Sequence, residues 1–129
     1  LGLAREFGFK VVVVSNAHQI YFVRESFRKF GLDALVDGFV ISGEFGVRKP
    51  DPSIFLFALK KFNLNANSAV MVGDSLSSDF LGAIQAGIYP ILLVREDDSP
   101  VTKIMRECFL AKDLISAVKK AKRILEGFC

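Results

Sequence analysis

The chain has 129 residues, a formal net charge of +3 and a pI near 9.0, with 51% hydrophobic and 24% charged residues. That balance excludes an intrinsically disordered chain, and two cysteines, Cys108 and Cys129, are too few for a disulfide scaffold or a metal-ligand cluster. No apolar run approaches the roughly 18–20 residues that span a bilayer and no basic-then-apolar leader is present, so one domain of the reducing cytoplasm is expected.

The opening LGLAREFGFK places Leu1, Leu3, Ala4 and Phe7 at helical spacing, with neither a cap nor an initiator Met. It reads as the end of a helix cut in mid-element, so further residues are expected upstream. Four runs, 11–14, 39–41, 69–72 and 91–94, are apolar throughout rather than alternating, as strands covered on both faces of a parallel sheet are. Helix-period stretches lie between them. Ile20, Val23, Phe27 and Phe30 share a face that ends at Gly31. Ile54, Ala58 and Phe62, flanked by Phe55 and Leu59, define a second helix, with Asp51 as N-cap and Pro52 in its first turn. A third helix is predicted over about 78–86, stopping at Gly87, with Gly82, Ala83 and Ala86 small enough to approach the sheet closely. Leu114, Val118, Ala121 and Leu125 form a last amphipathic stripe. This alternation predicts an α/β fold, a three-layer Rossmann-like parallel sheet with helices on both faces. The 13 phenylalanines fall mostly on helix faces and near strand ends, as core residues do.

In such sheets ligands sit outside the carboxyl ends of the strands. The first strand is followed by Ser15-Asn16. The second leads to Ser42-Gly43-Glu44 and then Arg48-Lys49-Pro50. Gly73-Asp74-Ser75 follows the third, with Asp79 five residues beyond Asp74, and Arg95-Glu96-Asp97-Asp98 follows the fourth. A hydroxyl and an amide at a strand end suit phosphoryl oxygens, and a nearby lysine supplies a compact positive charge for them. Paired carboxylates in a tight loop suit Mg2+, which takes oxygen ligands and keeps part of its water. Together these groups fit phosphoryl transfer, although none is an obvious nucleophile. His18, the single histidine, is expected to face solvent in a first turn, and Glu44 and Arg48 to shape the loop that presents Lys49. The run Lys119-Lys120-Ala121-Lys122-Arg123 is one helical patch near a helix C-terminus, where cations are favoured, and nucleic acid is not expected as a partner.

Three segments, VVVVSN, GVRKPDPSIF and VGDSLSSDFLGAIQAG, resemble in this order motifs two, three and four of the haloacid dehalogenase-like (HAD) hydrolase superfamily. The resemblance covers about residues 1–100. It implies a Mg2+-dependent phosphatase of a small phosphorylated metabolite, working through an aspartyl-phosphate. Ser15 would bind the transferring phosphoryl group with Asn16 assisting, and Lys49 would neutralise charge on it. Asp74 would bind Mg2+, with Asp79 holding the metal directly or through water. Residues 1–9 would be a helix returning from a specificity-setting cap, 10–112 the core and 113–129 a C-terminal helix.

One part of the pattern is missing. The family's first motif, an Asp-x-Asp pair on the central strand, supplies the nucleophile, and no Asp-x-Asp occurs here. Asp37 precedes a strand rather than following one, and Asp97 and Asp98 are adjacent, so they diverge. The nucleophile is therefore expected from residues upstream. Its strand belongs between the first and third strands here, which must close the gap or keep unpaired inner edges. The alternatives are a non-catalytic module that binds phosphate or a partner, and a 2-haloacid dehalogenase, which needs no metal and leaves Asp74 and Asp79 without a purpose. A phosphoacceptor receiver domain has these groups in another order, and a P-loop enzyme is excluded by the lack of G-x-x-x-x-G-K-[ST].

Overall fold

The structure, a computed structural model, describes residues 1–94 and 106–129, so the 95–98 run lies outside the described residues. In chain order the elements are α1 (Gly2–Glu6), β1 (Val12–Ser15), α2 (Ile20–Lys29), β2 (Gly38–Ile41), α3 (Ser42–Phe45) and α4 (Pro52–Lys61). Then come β3 (Val70–Gly73), a π-helical turn (Leu76–Phe80) running into α5 (Leu81–Gln85), β4 (Tyr89–Leu93), β5 (Leu110–Ala111) and α6 (Leu114–Leu125).

Every described strand pair is parallel. β1 pairs with β2 from Val12–Gly38 to Ser15–Ile41, and β4 lies between β3 and β5 in a separate sheet. Strand parity sorts the side chains into two layers. Val12, Val14, Val40 and Met71 pack on a core built by Ile54, Phe55, Ala58 and Leu59 of α4 with Ala83 of α5. Val70, Val72, Ile91 and Leu93 turn to the opposite face, where α6 supplies Ala117, Ala121 and Ile124. Phe39 meets Phe27 of α2 edge-on at 5.4 Å, under the Arg24 guanidinium. Helices cover both faces, as the alternation predicts.

The sheet is nevertheless interrupted. β1 and β3 are bonded on one side only, and no ladder joins them among the described residues. All four residues of each are half-buried, whereas β2 and β4 carry the buried runs Phe39-Val40-Ile41 and Pro90-Ile91-Leu92. Inner edges left unpaired are thus what this chain has. The two sheets are held together by α4 and α5, which bridge both, and by polar groups at the strand ends.

Several expectations shift. In α6 the buried face is Ala117, Ala121 and Ile124, while Leu114 is 51% exposed, because small alanines let the helix sit closer to β4 and β5 than leucines would. Phe30 lies past the last turn of α2 and is exposed, as are Phe22 and Phe128, so the phenylalanines are not uniformly core. Cys108 and Cys129, for which the sequence suggested no partner, are paired, with their Cα atoms 6.3 Å apart. β5 is too short to leave a periodic signal. Among the described residues no helix is long and apolar enough to cross a membrane.

Candidate active site

The carboxyl ends of β1 and β3 meet a loop that neither strand contributes. Asp51 caps α4, accepting from the Ser53 N–H at 2.9 Å and its hydroxyl at 2.6 Å, with Pro52 in the first turn as the sequence predicts. Those two bonds, the hydroxyl's first, hold the Asp51 carboxyl below the usual carboxylate range. The helix start thereby fixes the exit of the loop carrying Lys49. Its far side rests on α5, where a Cβ at Gly82 would lie 2.7 Å from the Phe55 ring and 3.2 Å from the Pro50 Cα. Gly82 thus serves the contact with this loop and α4, where the sequence suggested contact with the sheet.

One hydrogen-bonded chain crosses from sheet to sheet. Asn16, just past β1, accepts from the Lys49 N–H at 2.8 Å and donates its amide to the Lys49 carbonyl at 3.1 Å. The Lys49 ammonium donates to Asp79 Oδ1 at 2.6 Å, with only 11% and 7% of the two side chains exposed. Asp79 Oδ2 in turn accepts from the Ser75 N–H at 3.2 Å. A buried pair of this kind persists only when its remaining atoms are bonded, which the Ser75 N–H helps to ensure.

The sequence after β3 explains how Asp79 reaches that position. Ser75 caps the turn through its hydroxyl, which accepts from the Ser78 N–H at 3.1 Å, and its carbonyl accepts from both Asp79 and Phe80. The π-helical turn carries Asp79 back over the strand end, a geometry recurrent at functional sites. Gly73 makes room for it, since a Cβ there would overlap the Asp79 carboxylate. No glycine pattern in the sequence announced this, but Gly-Asp-Ser at a strand end was the available signal.

Asn16, Lys49 and Asp79 are therefore brought together. Ser15 closes β1 beside Asn16, and Asp74 is exposed at the end of β3; neither side chain is hydrogen-bonded to another described residue. His18 is exposed as expected, in a segment held by α3: the Ser42 hydroxyl and the Gly43 N–H donate to the Ala17 carbonyl at 3.2 and 2.7 Å. Sequence reading missed this support; the Ser-Gly pair after β2 was the signal. Glu44 and Arg48 are exposed, and the Arg48 carbonyl accepts from the Asp51 N–H, shaping the loop.

Among the described residues no group of three or more histidine, cysteine or carboxylate side chains is gathered for a metal ion; Asp74, an exposed carboxylate at a strand end, could supply one oxygen ligand to a hard divalent cation. Asp79 has both oxygens occupied, one by an ammonium, so it would serve such a cation from outside the ligand shell.

The family model for haloacid dehalogenase-like hydrolases matches residues 1–87. A glyceraldehyde 3-phosphate phosphatase of Pyrococcus abyssi is 37% identical over 84 residues, 65% of this chain and 35% of that protein. A phosphoserine phosphatase of Thermus thermophilus is 40% identical over 83 residues, 58% of this chain and 33% of that protein. Among solved structures, a HAD phosphatase from Thermococcus onnurineus aligns with a TM-score of 0.78 at 27% identity, covering 98% of this chain and 54% of that one. The chain belongs to the haloacid dehalogenase-like hydrolase family. It spans about a third of the length of these two curated relatives.

Proposed function

We propose that this chain is part of a Mg2+-dependent phosphatase of a small phosphorylated metabolite. The observation that carries the reading is the Lys49 ammonium, only 11% exposed, bonded to Asp79 beyond β3 and carried by a loop that Asn16 ties to the end of β1. The phosphatase names of the relatives support the same class. Ser15 binds a phosphoryl oxygen through its hydroxyl, and Lys49 offsets the negative charge that gathers on those oxygens in the transition state. Asp74 would hold Mg2+, with Asp79 behind it. The bound cation supplies charge neutralisation on the phosphoryl oxygens. The nucleophile is an aspartate from outside these 129 residues, which attacks phosphorus as the bond to the substrate's ester oxygen breaks and the alcohol departs; water then cleaves the aspartyl-phosphate to inorganic phosphate and the free carboxylate.

A second reading, a non-catalytic module that binds phosphate or a partner, rests on the absence of Asp-x-Asp from the sequence. Intact mass and N-terminal sequencing of the natively expressed protein separate the two. A longer chain with an upstream Asp-x-Asp, releasing phosphate from small monoesters with Mg2+ and not with chelator, supports the phosphatase. A protein starting at Leu1 that releases none overturns it.

A further inference from the structure

The side-chain amide of Asn16 is occupied in a way that a phosphate ligand would not be. Its oxygen and its nitrogen are both used, and both on the backbone of one residue 33 positions away, Lys49. A planar carboxamide that bonds the N–H and the C=O of the same residue copies one rung of a β-ladder, fixing that residue's orientation as well as its position. Lys49 has particular need of it. It lies in the loop between α3 and α4, outside any strand, yet its ammonium must reach Asp79 in a site with little exposure.

We propose that Asn16 is a positioning residue that acts through Lys49, tying the end of β1 to the lysine loop so that the ammonium is held at the strand ends. Its effect on turnover rests on the phosphatase reading; its effect on the loop does not. Asn16 then contributes nothing to substrate that Lys49 does not deliver. This separates it from Ser15, its neighbour, whose hydroxyl is free of such bonds among the described residues.

The test is a double-mutant cycle in the intact protein, with Asn16→Ala and Lys49→Gln read by phosphate release, joined to hydrogen exchange at the Lys49 amide. Asn16→Ala is expected to lower kcat on the order of 10- to 100-fold, the scale of a misplaced catalytic group, while KM changes by less than about threefold. In the Lys49→Gln background the same substitution is expected to have no further effect, because residues acting as one unit are not additive. The Lys49 amide is expected to exchange about tenfold faster or more once its acceptor is gone. Losses that multiply, showing that Asn16 touches substrate itself, overturn the proposal. So does a Lys49 amide whose exchange is unchanged. If the wild type hydrolyses no monoester, or the Lys49→Gln background is too slow to read, exchange alone decides about the clamp while the phosphatase reading stands or falls separately. Should Asn16→Ala fail to fold, Asn16→Leu replaces it, filling a similar volume while removing both the acceptor for the Lys49 N–H and the donor to its carbonyl, with the same expected outcomes.

Discussion

A lysine and an aspartate that leave water together must answer for each other, and Lys49 and Asp79 do so across 30 residues of sequence. Replacing Lys49 by Met strands the Asp79 carboxylate and is expected to cost about 3–5 kcal/mol in urea unfolding, well above an exposed lysine such as Lys119. Asp74 behaves differently because it is exposed. Asp74→Asn is expected to abolish Mg2+-dependent phosphate release by the intact protein while leaving its melting curve almost unchanged; full activity would remove the metal assignment. Far from the site, Asp37 accepts from the Val11 N–H and from Arg5 at 2.6 Å each, and these bonds, the backbone one first, hold its carboxyl below the usual range. A lowered folded value stabilises the native state above the ordinary value of about 4 and is lost as pH falls through the folded one. An acid titration of Asp37→Asn should therefore lack part of the wild-type loss of stability below about pH 4. The sequence showed Asp37 only as a carboxylate on the wrong side of a strand.

At the scale of elements, most of the fold is legible because apolar runs and capping residues act locally. Asp51-Pro52 announces α4, and the four apolar runs announce β1 to β4 within a residue or two. The face that a helix buries is set by its neighbour's shape: of the stripe periodicity marks on α6, Ala121 is buried and Val118 and Leu125 are half-buried, but Leu114 is exposed while Ala117 and Ile124 are inside. Enlarging the face that is buried should show this: Ala117→Leu is expected to cost about 1–3 kcal/mol by overpacking against β4 and β5. Leu114→Ser, on the face favoured by periodicity alone, is expected to change stability by less than about 0.5 kcal/mol. Denaturant melts of the two variants decide which face is inside. The π-helical turn is likewise invisible in sequence, since nothing in Leu-Ser-Ser-Asp-Phe distinguishes it from the capped first turn of an ordinary helix.

The molecule as a whole is two parallel sheets sharing one layer of helices. Among the described residues the two sheets present β1 and β3 as facing-side edges, with half-buried side chains and backbone groups lacking a ladder partner on one side. Such edges favour association with another strand. The isolated 129-residue chain is accordingly expected to be marginally stable or to aggregate. A cooperative thermal transition in a monomeric sample of it would refute that expectation. A longer version of the chain carrying a strand between β1 and β3 is expected to show a higher melting temperature and slower amide exchange in both strands together, because one added strand would complete both ladders.

The sequence by itself determined the class of fold, the parallel strands, the residues at their carboxyl ends and the family, because these depend on short-range pattern and on residue types at fixed offsets. It placed Asn16, Lys49 and Asp79 in one catalogue of strand-end groups without saying which would touch. Only the tertiary structure decided that Asn16 grips the Lys49 backbone, that Asp79 gives both oxygens to neighbours while Asp74 stays open, and that β1 and β3 stand apart. The reason is physical: hydrogen bonds between groups some 30 residues apart depend on how helices and sheets pack, and packing is settled by volumes and close approaches that local pattern does not record.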